Sequence, residues 1–224
     1  EDEEQLYAIS VDLMPNTAQV YYLLCDDIAI STPFWTPIGE YTVFKGTFDG
    51  DGYSISDVGL INTHYDYVGL FGQSSGTVKN LTVSGTVIGK SIVGLLSAHN
   101  TGNIENCKVE NGSVTGIGYT GGMVGYNEGG TISASVASCV VNNTGSGNTG
   151  GLVGYNDSGT IKTSFSSASV AGGNGNVGGL VGESRYTCLI DNCFAVATVS
   201  GSGTVGGLVG YLNQYYSSRI ATIR

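Results

Sequence analysis

Two carboxylates, Glu128 and Asp157, stand at matching places in neighbouring stretches of the sequence, each two residues after a tyrosine (Tyr126 and Tyr155). Carboxyl pairs about 5–9 Å apart cleave glycosides, one acting as acid and the other as base or nucleophile. Here each carboxylate follows a Tyr-Asn step and precedes Gly129 or Ser158-Gly159, the composition of a solvated turn. Gly72-Gln73-Ser74-Ser75-Gly76 has the letters of a nucleophile elbow, but that device needs a strand–turn–helix setting with a histidine and an acid. Only His64 and His99 exist, and no motif places either. Four G-x-G-x-x-G matches begin at Gly116, Gly145, Gly173 and Gly201. A dinucleotide loop opens a helix. These recur at one spacing with no helix pattern after them, so they read as corners needing positive φ. Asp49-Gly50-Asp51-Gly52 hints at a calcium loop but lacks the later carboxylates and final Glu. No catalytic residue, cofactor or metal is therefore expected.

Tyr126 and Tyr155 align, and Tyr211 recurs further on, with Asn213 at the place of Glu128 and Asp157. A ladder of aromatics on one face can take a sugar ring or a protein partner, or simply stabilise the face. The candidate ligand face is thus Tyr126, Tyr155, Tyr211, Glu128 and Asp157. The five cysteines (25, 107, 139, 188, 193) form no C-x-x-C pair and read as buried thiols, small hydrophobes rather than disulfides.

Composition bounds the partners. The chain has 224 residues, 41% hydrophobic, 12% charged, with 37 glycines and 3 prolines. That profile favours many short strands and tight turns over disorder, collagen or helices. Residues 1–66 hold 12 acids and one base (12 − 1, net −11), whereas residues 67–224 hold 6 acids and 7 bases (net +1). Neither part has the basic stripe that nucleic acid or an anionic membrane requires. No apolar run reaches the length of a spanning helix. The acidic start, Glu1 to Glu4, reads as a solvated tail, with any leader removed.

What must position these residues is a repeat. Six blocks align with second residues at 69, 94, 122, 151, 179 and 207, placing Leu70, Leu95, Met123, Leu152, Leu180 and Leu208 in one column. About ten residues after each block comes an aliphatic (Val78, Ile104, Ile132, Ile161, Ile190), then small residues at one strand parity (for example Cys107, Ser135, Ser164, Cys193). A unit of about 28 residues is too short and Gly-rich for a crossover helix or a propeller blade. It suits a coil of a right-handed, single-stranded, three-faced parallel β-helix, about eight coils rising about 4.8 Å each. Residues 1–66 are expected to be an N-terminal cap and first irregular coils, with strands at Gln19–Cys25 and Asp27–Ile30, and 67–224 the regular repeats of one continuous domain. At the far end, Ser218–Arg224 would begin another coil, or Tyr215 and Tyr216 would cap it.

The G-L-x-G blocks, the T-I-x-x-C/S segments and the T-V-x-G turns resemble GLUG-motif repeats. Trp35-Thr36-Pro37-Ile38-Gly39 with Phe44 to Gly52 is similar to the segment that precedes such repeats. The resemblance implies a bacterial secreted or surface-anchored module, like those of filamentous-haemagglutinin-type adhesins and immunoglobulin A-cleaving peptidases. Its work would be non-catalytic adhesion to a host or bacterial surface protein or glycan. The alternatives are a carbohydrate-active β-helix enzyme and a spacer within a larger surface peptidase.

Overall fold

A computed structural model describes residues 3–11, 20–31, 35–61, 66–213 and 222–223. It is a parallel β-solenoid with helix α1 (Glu3–Val11) at its N-terminal end. Each coil crosses four sheets, here I to IV, rather than three faces. One coil runs Thr77–Lys79 (I), Thr82–Ile88 (II), Ile92–Gly94 (III) and Ser97–Asn100 (IV). Asn103–Glu105 then returns to sheet I, parallel to and in register with Thr77–Lys79. The fourth sheet arises because the Gly-Leu block is a corner between two strands, not a turn within one.

The side chains in a column are therefore copies of one repeat position. Phe48, Val78, Ile104, Ile132, Ile161 and Ile190 pair in sequence along sheet I, all at 2% exposure or less. The small-residue column next to it is also hydrogen-bonded. Cys107 N–H donates to the Ser135 hydroxyl and Ser135 N–H to the Ser164 hydroxyl, both at 3.1 Å. The corner from sheet I to sheet II turns through one left-handed residue per coil: Asn80, Asn106, Ala134, Thr163, Asn192. Asn tolerates that conformation; Ala and Thr do so at a cost of about 1 kcal/mol.

The leucine column forms with one correction. Gly94 pairs with Gly121 and Ser97 with Val124, so Leu96, not Leu95, lies over Met123. Leu95 takes the place of Gly122 instead, and its Cδ2 approaches the backbone of Gly112. One coil on, a Cβ on Gly122 would lie 2.7 Å from the Cys139 sulfur; on the next, one on Gly151 would lie 2.1 Å from the Ser166 hydroxyl. A large residue on the block side faces glycine on sheet II, and glycine on the block side faces a larger partner. Close packing permits only one occupant of that space.

The recurring glycines are also explained differently from expectation. None of those in the four G-x-G-x-x-G matches has positive φ. They are required because the backbone lies too close. A Cβ on the second glycine (Gly118, Gly147, Gly175, Gly203) would lie 2.0–2.1 Å from a carbonyl oxygen of the preceding coil. On the third (Gly121, Gly150, Gly178, Gly206) it would lie 1.9 Å from a carbonyl oxygen of sheet IV. Sheets III and IV thus fold against each other backbone to backbone.

At the N-terminal end, strands form at Tyr21–Leu23 and Ile28–Ala29, within the expected segments. Glu3 and Glu4 are not a solvated tail: they open α1, where negative charge suits the helix N-terminus. Leu6 is buried, and Tyr7 meets Trp35 edge-on at 6.2 Å. Thr222–Ile223 pairs with Leu189–Ile190, so another coil does begin there, whereas Tyr215 and Tyr216 lie outside the described residues.

Two glycines separate close approach from conformational need. Gly150→Ala should destabilise the fold by about 3 kcal/mol or more. Gly207→Ala, where an added Cβ has no neighbour within 4 Å, should change it by less than about 0.5 kcal/mol. Thermal melting of the two variants beside the parent measures both.

Candidate functional site

Sheets III and IV meet along a seam that carries most of the ligand-face residues. Sheet IV brings Tyr126 beside Tyr155 and Glu128 beside Asp157 in direct register. His99 pairs with Tyr126 one coil earlier. Its ring is stacked on Tyr126 at 4.9 Å and 6°, and on Tyr67 of sheet III at 5.7 Å and 14°. Tyr126 follows onto Tyr155 at 5.1 Å, and Tyr119 of sheet III stacks on Tyr155 at 4.7 Å. Beyond Tyr155 lies the Arg185 guanidinium, 5.5 Å from the ring centroid. The ring faces cover one another: Tyr155 is buried at 6% exposure, and Tyr67, His99, Tyr119 and Tyr126 are half-buried.

Position and burial set the chemistry. Burial first, then the Glu128 and Asp157 carboxylates, push the Tyr126 phenol well above its ordinary value. Burial does the same to Tyr155, with Arg185 opposing. Both therefore remain neutral hydroxyls that can donate and accept hydrogen bonds. His99 Nε2 lies 3.0 Å from a Glu128 carboxylate oxygen, and the Glu128 side chain is 53% exposed.

Tyr211 is in the same column but apart from the cluster, because Glu183 stands between it and Tyr155. The Glu183 carboxylate is buried and accepts from Asn148 at 2.7 Å, from Asn176 at 3.1 Å and from Arg185. A buried charge is tolerable when each lone pair is met in this way. In the outer column, Arg185 follows Asp157 and precedes Asn213.

His99, Tyr67, Tyr119 and Arg185 were not legible as members of this site. The one-residue shift at the second block hides His99, since counting four from Gly94 arrives at Ala98. Tyr67 and Tyr119 lie on another strand, so no repeat offset links them to Tyr126. Behind the seam runs a further unforeseen ladder. Asn100 donates its amide to Asn127 and Asn127 to Asn156, both at 2.8 Å, all three side chains being fully buried.

The other motifs resolve structurally. Ser74 of the elbow-like segment is buried in a strand followed by a strand, Thr77–Lys79. His64 lies outside the described residues. Asp49 belongs to a polar knot at the first coils rather than a calcium loop: Tyr21, Lys79, Asn80 and the Asp51 N–H all direct donors at its carboxylate. Burial alone would push that carboxyl up, but those donors outweigh it and hold it well below the usual range. No cluster of three or more metal-ligating side chains occurs among the described residues. Every cysteine is a thiol, but Cys25 is exposed and Cys193 half-buried, contrary to expectation; Cys25 lies in the connection between Tyr21–Leu23 and Ile28–Ala29, the first strands of sheets I and II. Burial pushes the Cys107 and Cys139 thiols up to about 12.

The class is then plain: a stacked parallel β-solenoid with a built seam of rings and carboxylates. Residues 173–200, one full coil, match the GLUG motif. A stretch of 137 residues is 36% identical to halomucin of Haloquadratum walsbyi, covering 55% of this chain and 2% of halomucin. Another of 87 residues is 38% identical to a protein of Evansella cellulosilytica named as a candidate Gly-rich membrane protein, covering 36% of this chain and 10% of that one. The chain thus spans only a small part of either curated relative. The crystal structure of a candidate immunoglobulin A1 protease from Bacteroides ovatus superposes with a TM-score of 0.83. That likeness, at 24% identity, covers 99% of this chain and 76% of the other and is one of fold. No helix among the described residues is long and apolar enough to cross a membrane.

Asp49 sets an acid limit. Its folded carboxyl is more acidic than in the unfolded chain, so its contribution is present above about pH 4 and is lost as pH falls below. Asp49→Asn should lower stability by about 2 kcal/mol at pH 7 and flatten the acid loss. Melting curves from neutral to acid pH check it; equal acid slopes in both proteins would contradict it. For the thiols, alkylation of the native protein should label Cys25 quickly and the buried thiols only on unfolding, read by mass spectrometry.

Proposed function

We propose that this chain is a non-catalytic structural and adhesive module of a secreted or surface protein, presenting the III–IV seam to a protein or glycan. The observation that carries the reading is the ring ladder from Tyr67 through His99 and Tyr126 to Tyr155, flanked in register by Glu128 and Asp157. A solenoid holds such a strip rigid over several coils, so a ligand meets preset groups and little ordering cost is added on binding. Because the rings stack on one another, recognition falls to phenol hydroxyls, carboxylates and ring edges. Hydroxyl-rich glycans and polar protein surfaces match that set.

Cleavage of a glycan by Glu128 and Asp157 is less well supported. A general acid needs a desolvated carboxyl, and Glu128 is largely solvated and tied to His99. The spacer reading has one observation in its favour: the matched stretch is a small fraction of each long relative.

A binding array of glycans and surface proteins tests the proposal. Tyr119→Phe with Tyr126→Phe, which removes hydroxyls and leaves the stack, should weaken binding to any hit by about tenfold or more with unchanged circular dichroism. Full binding by the double variant removes the seam as the binding face, and turnover of a glycan lost in Glu128→Gln favours the enzyme.

A further inference from the structure

The outer face of sheet I carries an ordered row of charge. Its strands, one level per coil, follow one another from Thr47–Asp49 to Leu189–Asp191 without a shift in register. The face is therefore regular and presents one column on each side of the buried aliphatics. The first column is rich in hydroxyls and amides, with Thr77, Asn103, Thr131 and Thr160 in succession. The second runs Asp49, Lys79, Glu105, Ser133, Lys162, Asp191. Lys79 meets Asp49 within the chain at 3.0 Å. Glu105 and Lys162 are exposed, and neither they nor Asp191 forms a salt bridge among the described residues.

We infer that this face binds the same face of a second copy of the chain, with the two solenoid axes antiparallel, about a twofold axis that runs along the strands at the level of Ser133. The order of charges selects that occupant. From Lys79 to Asp191 the row reads plus, minus, neutral, plus, minus, and reversed it is its own complement. In this register Lys79 faces Asp191 of the partner subunit, Glu105 faces Lys162 of the partner subunit, and Ser133 lies on the axis. Each charge pair occurs twice. A slip of one level sets Lys79 on Lys162 in one direction and Glu105 on Asp191 in the other, and a twofold with parallel axes sets every charge on its own copy. Such like-charge contacts are what exclude the competing arrangements. The same register separates the acidic first segments, net −11 in residues 1–66. The two Asp49 levels stand six levels apart, about 29 Å, well beyond the screening length of about 10 Å at 0.1 M salt. Five levels, three residues wide, cover only about 250 Å² per copy, so the contact is a weak and transient one. Charge rather than area sets its specificity. Because Lys79 is already held by Asp49, the two Glu105–Lys162 pairs carry most of it.

Sedimentation equilibrium on the full chain at about 0.1 M salt, from about 20 µM to about 1 mM, tests this inference separately from any ligand at the seam. The average mass of the parent should rise with concentration toward that of a dimer, and fall back at about 0.5 M salt, where surface pairs are screened. Glu105→Lys and Lys162→Glu, each alone, should raise the dissociation constant at least about tenfold, because each sets two like pairs across the axis. The variant carrying both changes should dimerise like the parent, because the reversed charges again meet opposites. Both positions are exposed and stand two levels apart within one chain, so circular dichroism should be unaltered in all three variants, and the restoration reads contact between copies. A parent that stays monomeric, an association that salt leaves undiminished, or a double variant no better than the single ones overturns the inference.

Discussion

Everything in this molecule follows from one constraint: each coil hydrogen-bonds to the next through parallel strands, so every side chain stands against its own copy one repeat away. At a spacing of about 4.8 Å a column accepts only residues that tolerate an identical or complementary neighbour. Aliphatics do so by packing, as from Phe48 to Ile190. Amides do so by donating to the next amide, as from Asn100 to Asn156. Rings do so by stacking, as from His99 to Tyr155. A carboxylate does so less readily, and Glu183 in the ring column needs Arg185 and two asparagines around it.

The same constraint gives the glycines their role. Sheets III and IV approach so closely that a methyl group on Gly121 or Gly150 would overlap a carbonyl oxygen. That contact narrows one side of the solenoid and leaves Tyr119, Tyr126 and Tyr155 grouped along the junction. The seam is thus a consequence of backbone proximity as much as of its own side chains. A rigid strip of this kind is compatible with binding because ordering it costs nothing at the moment of contact.

The outward faces differ in what they offer. The seam presents hydroxyls and carboxylates at fixed intervals, whereas sheet II between Val136 and Ser200 presents valine, phenylalanine and serine without charge. A single fold therefore separates a polar strip from an uncharged one. The strongly acidic first segment lies outside both, at the end where α1 covers the first coil.

Periodicity alone determined the parallel solenoid, the identity of the core columns and the adjacency of Tyr126 with Tyr155 and Glu128 with Asp157. These follow from counting, because in a stacked coil sequence separation by one repeat is spatial contact. Counting failed where block length changed: from Val68 to Phe71 the first block is one residue shorter than Val93 to Ser97 in the second, so alignment on the first Leu put Leu95 in the place of Leu96 and concealed His99. Only the tertiary structure decided that there are four sheets, that the recurring glycines serve close approach instead of positive φ, and that Tyr67 and Tyr119 reach across to sheet IV. Those relations join different strands of the coil, and they depend on the angle between two sheets folded backbone to backbone, which no periodic pattern along the chain encodes.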